Sequence, residues 1–183
     1  MSDLRQDIKD AYYKELERRD SIVNSTSMPM GLMPILFTLL FFIFSKIEKE
    51  ISLNSIAAYE FSLIGFYCLT VSCIYLSMAV WSHDYNFIPH MTSIIKYKSE
   101  LIESATERET EETAEKKATN HLYDQYAECA TLNAIRNKFK AESIYECKKW
   151  LMISLGIIMT SGLLIIPNLI SNDSSISISI TKE

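Results

Sequence analysis

Three stretches of this sequence carry no charge, and each is as long as a bilayer is thick. Between Asp20 and Lys46 lie 25 uncharged residues, between Glu60 and His83 lie 22, and between Lys149 and Asp173 lie 23. A helix crossing the hydrocarbon core needs about 20 mostly apolar residues. The alternative, a buried helix of a soluble domain, ordinarily keeps a polar stripe. LMPILFTLLFFIF, Leu32 to Phe44, has only Thr38 as a polar residue. FSLIGFYCLTVSCIYLSMAVW, Phe61 to Trp81, has only small hydroxyls, Cys and Tyr. Such hydroxyls can bond back to their own helix in lipid. Charged residues make up 22% of the 183-residue chain, an ordinary share, so the information lies in their segregation.

The flanks agree with a membrane. Tyr59, Trp81 and Tyr85 bracket the second window, and Trp150 opens the third. Amphipathic aromatics favour the headgroup level. Lys46 and Lys49 close the first window, and Lys148 and Lys149 precede the third. Their long stems let the ammonium groups reach the interface.

Sidedness is read from Lys and Arg. Arg5, Lys9, Lys14, Arg18 and Arg19 precede the first window, and ten cations lie between His83 and Lys149. The short loop has two, Lys46 and Lys49, and the tail has Lys182. The positive-inside rule then places the N-terminus and the long segment in the cytoplasm. No cleavable signal peptide is evident, since the first apolar run begins near residue 28 after a charged stretch. Cys68, Cys73, Cys129 and Cys147 are expected as free thiols in this topology.

From His90 to Leu155 there is neither Gly nor Pro, which argues for long helices. SATERETEETAEKKA, Ser104 to Ala118, is rich in good helix formers, with Glu112 placed ahead of Lys116. A hairpin turning near Thr119 to His121 is expected, because one straight helix of that length would span about 90 Å. In its second arm Leu122, Tyr126, Cys129, Asn133, Arg136 and Lys140 follow one stripe, apolar at its start and polar at its end. No breaker separates this arm from Trp150, so arm and third span read as one rod, a passive strut or a transmitter of movement. At the N-terminus, Leu4, Ile8, Ala11, Tyr12 and Leu16 recur at helical spacing. That amphipathic helix has two homes open to it, the cytoplasmic hairpin or the inner membrane surface. Ser25 to Pro34, STSMPMGLMP, is expected to break or kink the chain before the first span.

The fold expected is an all-α membrane protein: three transmembrane helices, a cytoplasmic helical hairpin and an N-terminal amphipathic helix. In chain order these are a cytoplasmic helix over 1–27, a first span over 28–46, an outer loop over 47–58 and a second span over 59–82. The hairpin follows over 83–149, then a third span over 150–171 and an outer tail over 172–183. SISISITKE within that tail alternates Ser and Ile, a pattern suited to a strand or to a loose end.

Little in the chain points to chemistry. His83, Asp84, His90, His121 and Cys129 lack the paired spacing of zinc sites. There is no nucleophile motif and no Gly-rich phosphate loop, so no catalytic residue, cofactor or metal is expected. A net charge of −5 gives no reason to expect nucleic acid. No ionisable residue lies mid-window, where a proton relay or voltage sensor would ordinarily need one. Gly156 and Gly162 miss the four-residue Gly pairing of spans, while Ser154, Thr160 and Ser161 can line a close helix contact. Glu60 stands at the outer start of the second span. It reads either as an interfacial residue at a helix N-terminus or, with Glu48 and Glu50, as a carboxylate ring at a pore mouth.

AYYKELERRDSIVNSTSMPMGLMPILFTLLFFIF resembles the start of small bacterial membrane proteins found beside anti-phage genes. YAECATLNAIRNKFKAESIYECKKWLMISL, Tyr126 to Leu155, is similar to their second half. Those proteins are related in plan to the SLATT class of predicted pore-forming effectors, to whose two spans this chain adds a third. The resemblance implies a multi-pass protein of the bacterial inner membrane that homo-oligomerises in the lipid bilayer. It would perforate that membrane once a cytosolic sensor or enzyme partner detects infection. The alternative expectation is a membrane anchor or scaffold that recruits a cytosolic partner through the hairpin.

Overall fold

The computed structural model describes residues 2–47, 53–81, 85–103 and 111–180. Five helices occupy them: α1 (Ser2–Asn24), α2 (Ser27–Ile47), α3 (Leu53–Val80), α4 (Met91–Glu103) and α5 (Glu111–Ile180), with no strand among the described residues. Three stretches of helix are long and apolar enough to cross a membrane: Leu4–Ile47, Leu53–Val80 and Glu115–Pro167. The chain forms two compact units. One holds Met1–Asn24 with Ser82–Ala141, the other Ser25–Trp81 with Glu142–Glu183.

The second unit contains α2, α3 and the later part of α5. Its buried positions repeat every three and four residues. On α2 they are Pro29, Met33, Leu36, Leu40 and Ile43. On α3 they include Ser55, Ala58, Ser62, Gly65, Leu69 and Ser72. On α5 they include Cys147, Leu151, Ser154, Ile158, Ser161 and Ile165. A 3.5-residue repeat is the pattern of helices that pack side by side at shallow angles, knobs into holes. Large side chains come from α2 and small ones from α3, so volumes complement each other across the seam. Cys73 Sγ lies 3.5 Å from Met33 Sδ, and the rings of Phe37 and Phe66 and of Phe44 and Tyr59 meet edge to face. These pairs advance along α2 as they retreat along α3, so the two helices are antiparallel.

The break before α2 lies at Ser25 and Thr26, upstream of both prolines. The Met30 N–H donates to the Thr26 carbonyl at 3.1 Å. Pro29 sits in the first turn of α2, where its missing N–H costs nothing, and Pro34 lies inside the helix. α3 begins at Leu53, inside the stretch expected as an outer loop.

In the first unit α1, α4 and the early part of α5 pack together. Lys98 of α4 pairs with Glu115 of α5 at 3.3 Å, and the Tyr97 and His121 rings stand 4.7 Å apart, so these two segments run antiparallel. α1 runs parallel to α5: Arg5 bonds Asn120, Tyr12 meets Tyr126 edge to face, and Glu15 bonds Asn137. Three expectations change here. The turn foreseen at Thr119 to His121 lies inside α5, and the link between α4 and α5 falls in residues 104–110, outside the described residues. Of the expected face of α1, Tyr12 is buried and Ile8 and Leu16 are half-buried, while Leu4, 66% exposed, and Ala11 face outward; Ile22 is buried as well. The backbone of α5 also continues as helix to Ile180, where a strand or loose tail was expected.

Candidate functional site

Two arrangements of polar groups stand out because the helices bury them. The first is a serine seam between α3 and α5. Ser161 donates its hydroxyl to the Ala58 carbonyl at 2.7 Å, Ser154 to the Gly65 carbonyl at 2.9 Å, and Ser72 to the Cys147 carbonyl at 2.8 Å. The pairs step seven residues at a time in opposite directions, so α3 and α5 are antiparallel and hold one register. A hydroxyl has a single hydrogen. With Ser161 donating to Ala58, the Ser62 hydroxyl 2.7 Å away is the donor to Ser161 Oγ. By the same argument the Cys147 thiol donates to Ser72 Oγ at 3.3 Å.

Close approach is what the small residues provide. A Cβ on Gly65 would stand 3.0 Å from Cγ1 of Ile158. Small residues let membrane helices approach, and each interhelical hydrogen bond there adds only about 0.6 kcal/mol. The seam is therefore chiefly a packing device whose hydroxyls fix register. Leu36, Leu40, Leu69, Leu151 and Ile158 fill the rest of it, each almost fully buried. Of the residues foreseen for a close contact, Ser154 and Ser161 lie in the seam. Thr160 is exposed and donates to the Gly156 carbonyl of its own helix. Gly65 and Ser72 are the members that the search for Gly pairs missed; their signal was the seven-residue spacing of small residues along α3.

The second arrangement holds residues 85–90, which are neither helix nor strand. An irregular backbone must find partners for its N–H and C=O groups. Asn133, fully buried, accepts the Asn86 N–H at 3.0 Å and donates to the Asn86 carbonyl at 2.9 Å. Asn137, also fully buried, accepts the Tyr85 hydroxyl at 2.6 Å and donates to the Glu15 carbonyl and carboxylate. Arg136 donates to the Asn86 side chain at 2.8 Å. Two cations face the Tyr85 ring, Lys140 at 4.9 Å and Arg19 at 5.4 Å from its centre. The polar end of the stripe read from the sequence is thus spent on clamping this segment to α1 and α5. No buried side-chain N or O lacks a partner among the described residues.

Burial raises the Tyr85 and Tyr12 hydroxyls above their ordinary range. The same desolvation lowers the Lys140 ammonium, and Arg19 and Arg136 add to it. A small apolar cleft of about 140 Å³ lies beside Tyr97, His121, Leu122 and Pro89. No group of three His, Cys, Asp or Glu is placed to hold a metal among the described residues. Cys68, Cys129 and Cys147 are buried as small apolar fillers. Glu60 is exposed on α3, directly after Tyr59. Glu48 and Glu50, its expected companions in a ring, lie outside the described residues.

Compared with protein-family models, with curated proteins and with solved structures, the chain matches none.

Proposed function

We propose that this chain is a non-enzymatic membrane effector of the bacterial inner membrane, with its N-terminus in the cytoplasm. Copies associate through their lipid-embedded helices to form or gate a pore, and the resulting leak serves anti-phage defence. The observation that carries the reading is the path of α5. One unbroken helix supplies Asn133 and Asn137 to the clamp on residues 85–90, and Ser154 and Ser161 to the seam with α3. A signal that loosens the clamp acts on the same helix that builds the apolar bundle. The seam within one copy is filled by large apolar side chains, so a conduit has to form between copies. Glu60, exposed on α3, is free to face such a conduit.

A second reading is a membrane anchor that recruits a cytosolic partner. Thr38, Thr70, Ser77 and Thr160 are exposed and each donates to a carbonyl of its own helix four residues back, which suits a lipid-facing position under either reading. Induced expression in cells carrying a membrane-potential dye separates the two. The effector depolarises the membrane, and Gly65→Leu, which disrupts the bundle, abolishes the effect. An anchor leaves the potential intact and co-purifies with a soluble partner through residues 85–141.

A further inference from the structure

Lys140 is the most deeply buried cation among the described residues, at 9% exposure. Its stem is what the fold buries, while its ammonium reaches the surface, since no buried side-chain nitrogen lacks a hydrogen-bond partner among the described residues. Its one neighbour of opposite electrostatic character is the face of Tyr85, 4.9 Å away. Two further cations stand close by. Arg19 of α1 lies over the same ring, and Arg136 sits one turn earlier on α5. The nearby carboxylates are engaged elsewhere: Asp20 pairs with Arg19 at 2.8 Å, and Glu15 accepts from Asn137 and pairs with Arg18. Lys140 and Arg136 have no carboxylate within ion-pair distance among the described residues. In a chain of net charge −5, two cations face one tyrosine ring and a third, Arg136, holds the neighbouring Asn86 side chain.

We propose that Arg19, Arg136 and Lys140 form a binding site for a phosphate-bearing anion beside the ring of Tyr85. The Lys140 ammonium, carried on a buried stem, supplies a charge held in place beside the ring. The two guanidinium groups, which reach solvent, supply the planar forks that match phosphate oxygens. Asn133 and Asn137 hold Asn86 and Tyr85 in place, so the site is shaped before the anion arrives. The phosphate can belong to a free anion or to an anionic lipid headgroup, since both present the same oxygens.

The test uses the full chain in nanodiscs. Pyrophosphate is titrated calorimetrically into nanodiscs of purely zwitterionic lipid. Native mass spectrometry then measures retention of phosphatidylglycerol from mixed-lipid nanodiscs. Saturable pyrophosphate binding assigns the site to free phosphate, and selective retention of phosphatidylglycerol without it assigns the site to a headgroup. In either case Lys140→Met weakens binding by roughly tenfold to a hundredfold, the scale of one lost charged hydrogen bond, while Lys140→Arg retains most of it. Arg136→Gln, at a partly exposed position, is the second variant should Lys140→Met fail to fold, and it weakens binding in the same direction. Two results overturn the proposal: neither probe binds the wild-type chain, or the wild type and both charge-removing variants bind alike.

Discussion

Ile158 of α5 fills the notch left by Gly65 of α3, so closely that a Cβ at Gly65 would stand 3.0 Å from its Cγ1. The Ser154 hydroxyl, one turn away, closes the contact by donating to the Gly65 carbonyl at 2.9 Å. Every step of the apolar bundle follows from how near these two backbones come.

Gly65→Leu is expected to break the bundle, because a leucine adds three more carbons beyond a Cβ that already stands 3.0 Å from Ile158 Cγ1. Gly65→Ala asks Ile158 to move by a few tenths of an ångström, an overpacking cost of about 1–3 kcal/mol. Ile158→Ala, which removes the Cγ1 that the new methyl meets, then costs less on the Gly65→Ala background than on its own, since the two positions are in contact. Thermal unfolding of the detergent-solubilised variants measures this. Additive effects at the two positions would contradict the contact.

Ser154→Ala tests the hydroxyl apart from the packing. Its expected cost is small, about 0.6 kcal/mol and at most near 1.7, in line with hydrogen bonds between membrane helices. Thr160→Ala, whose hydroxyl turns back to Gly156 on its own helix, is expected to cost less still. If Ser154→Ala unfolds the bundle, the seam rests on its hydrogen bonds and not on close approach.

The clamp on residues 85–90 makes a different prediction. Asn137→Ala strands the Tyr85 hydroxyl and takes a donor from Glu15, and a buried group left unsatisfied costs about 1–3 kcal/mol. Tyr85→Phe removes one hydrogen bond together with its donor and is expected to cost less. Asn133→Ala frees the Asn86 amide, which hydrogen exchange by mass spectrometry should detect as faster exchange confined to a peptide spanning 85–90. Unchanged exchange there would remove Asn133 from the clamp.

Tyr12, Tyr85 and Tyr126 are held above the ordinary 10.0, chiefly because burial disfavours the phenolate. A raised acid keeps its proton in the folded state, so its contribution is present in full below pH 10. It is lost as pH rises through the folded-state values. Alkaline titration followed by tyrosinate absorbance should therefore show a delayed group among the ten tyrosines, released together with loss of helix from residues 1–24 and 85–141. A single normal titration would contradict the burial of these three rings.

The apolar helices were legible in the sequence because absence of charge over a bilayer's length leaves few alternatives. The seam was only half legible. Ser154 and Ser161 were visible as small polar residues in a span, but Gly65 was not. Close approach was sought in glycine pairs on one helix, whereas it arises from glycine on α3 opposite isoleucine on α5. The turn expected at Thr119 to His121 rested on the length one straight helix would need, and helix propagation through good formers carries α5 past it. The face of α1 was legible in part. Its apolar spacing pointed to Leu4, Ile8, Ala11, Tyr12 and Leu16, of which Ile8, Tyr12 and Leu16 pack inward, but it did not show that Arg5 and Glu15 also bond α5 through Asn120 and Asn137. Hydrophobic periodicity does not register hydrogen bonds made by a distant part of the chain.

The central claim is that the apolar helices cross a bilayer, with α1 and the early part of α5 on the cytoplasmic side. It is tested most directly by labelling single introduced cysteines with a membrane-impermeant maleimide. Glu60→Cys should react in intact cells, and Asp124→Cys only after the inner membrane is opened. Reaction of Asp124→Cys in intact cells, or of Glu60→Cys only in opened ones, would contradict it.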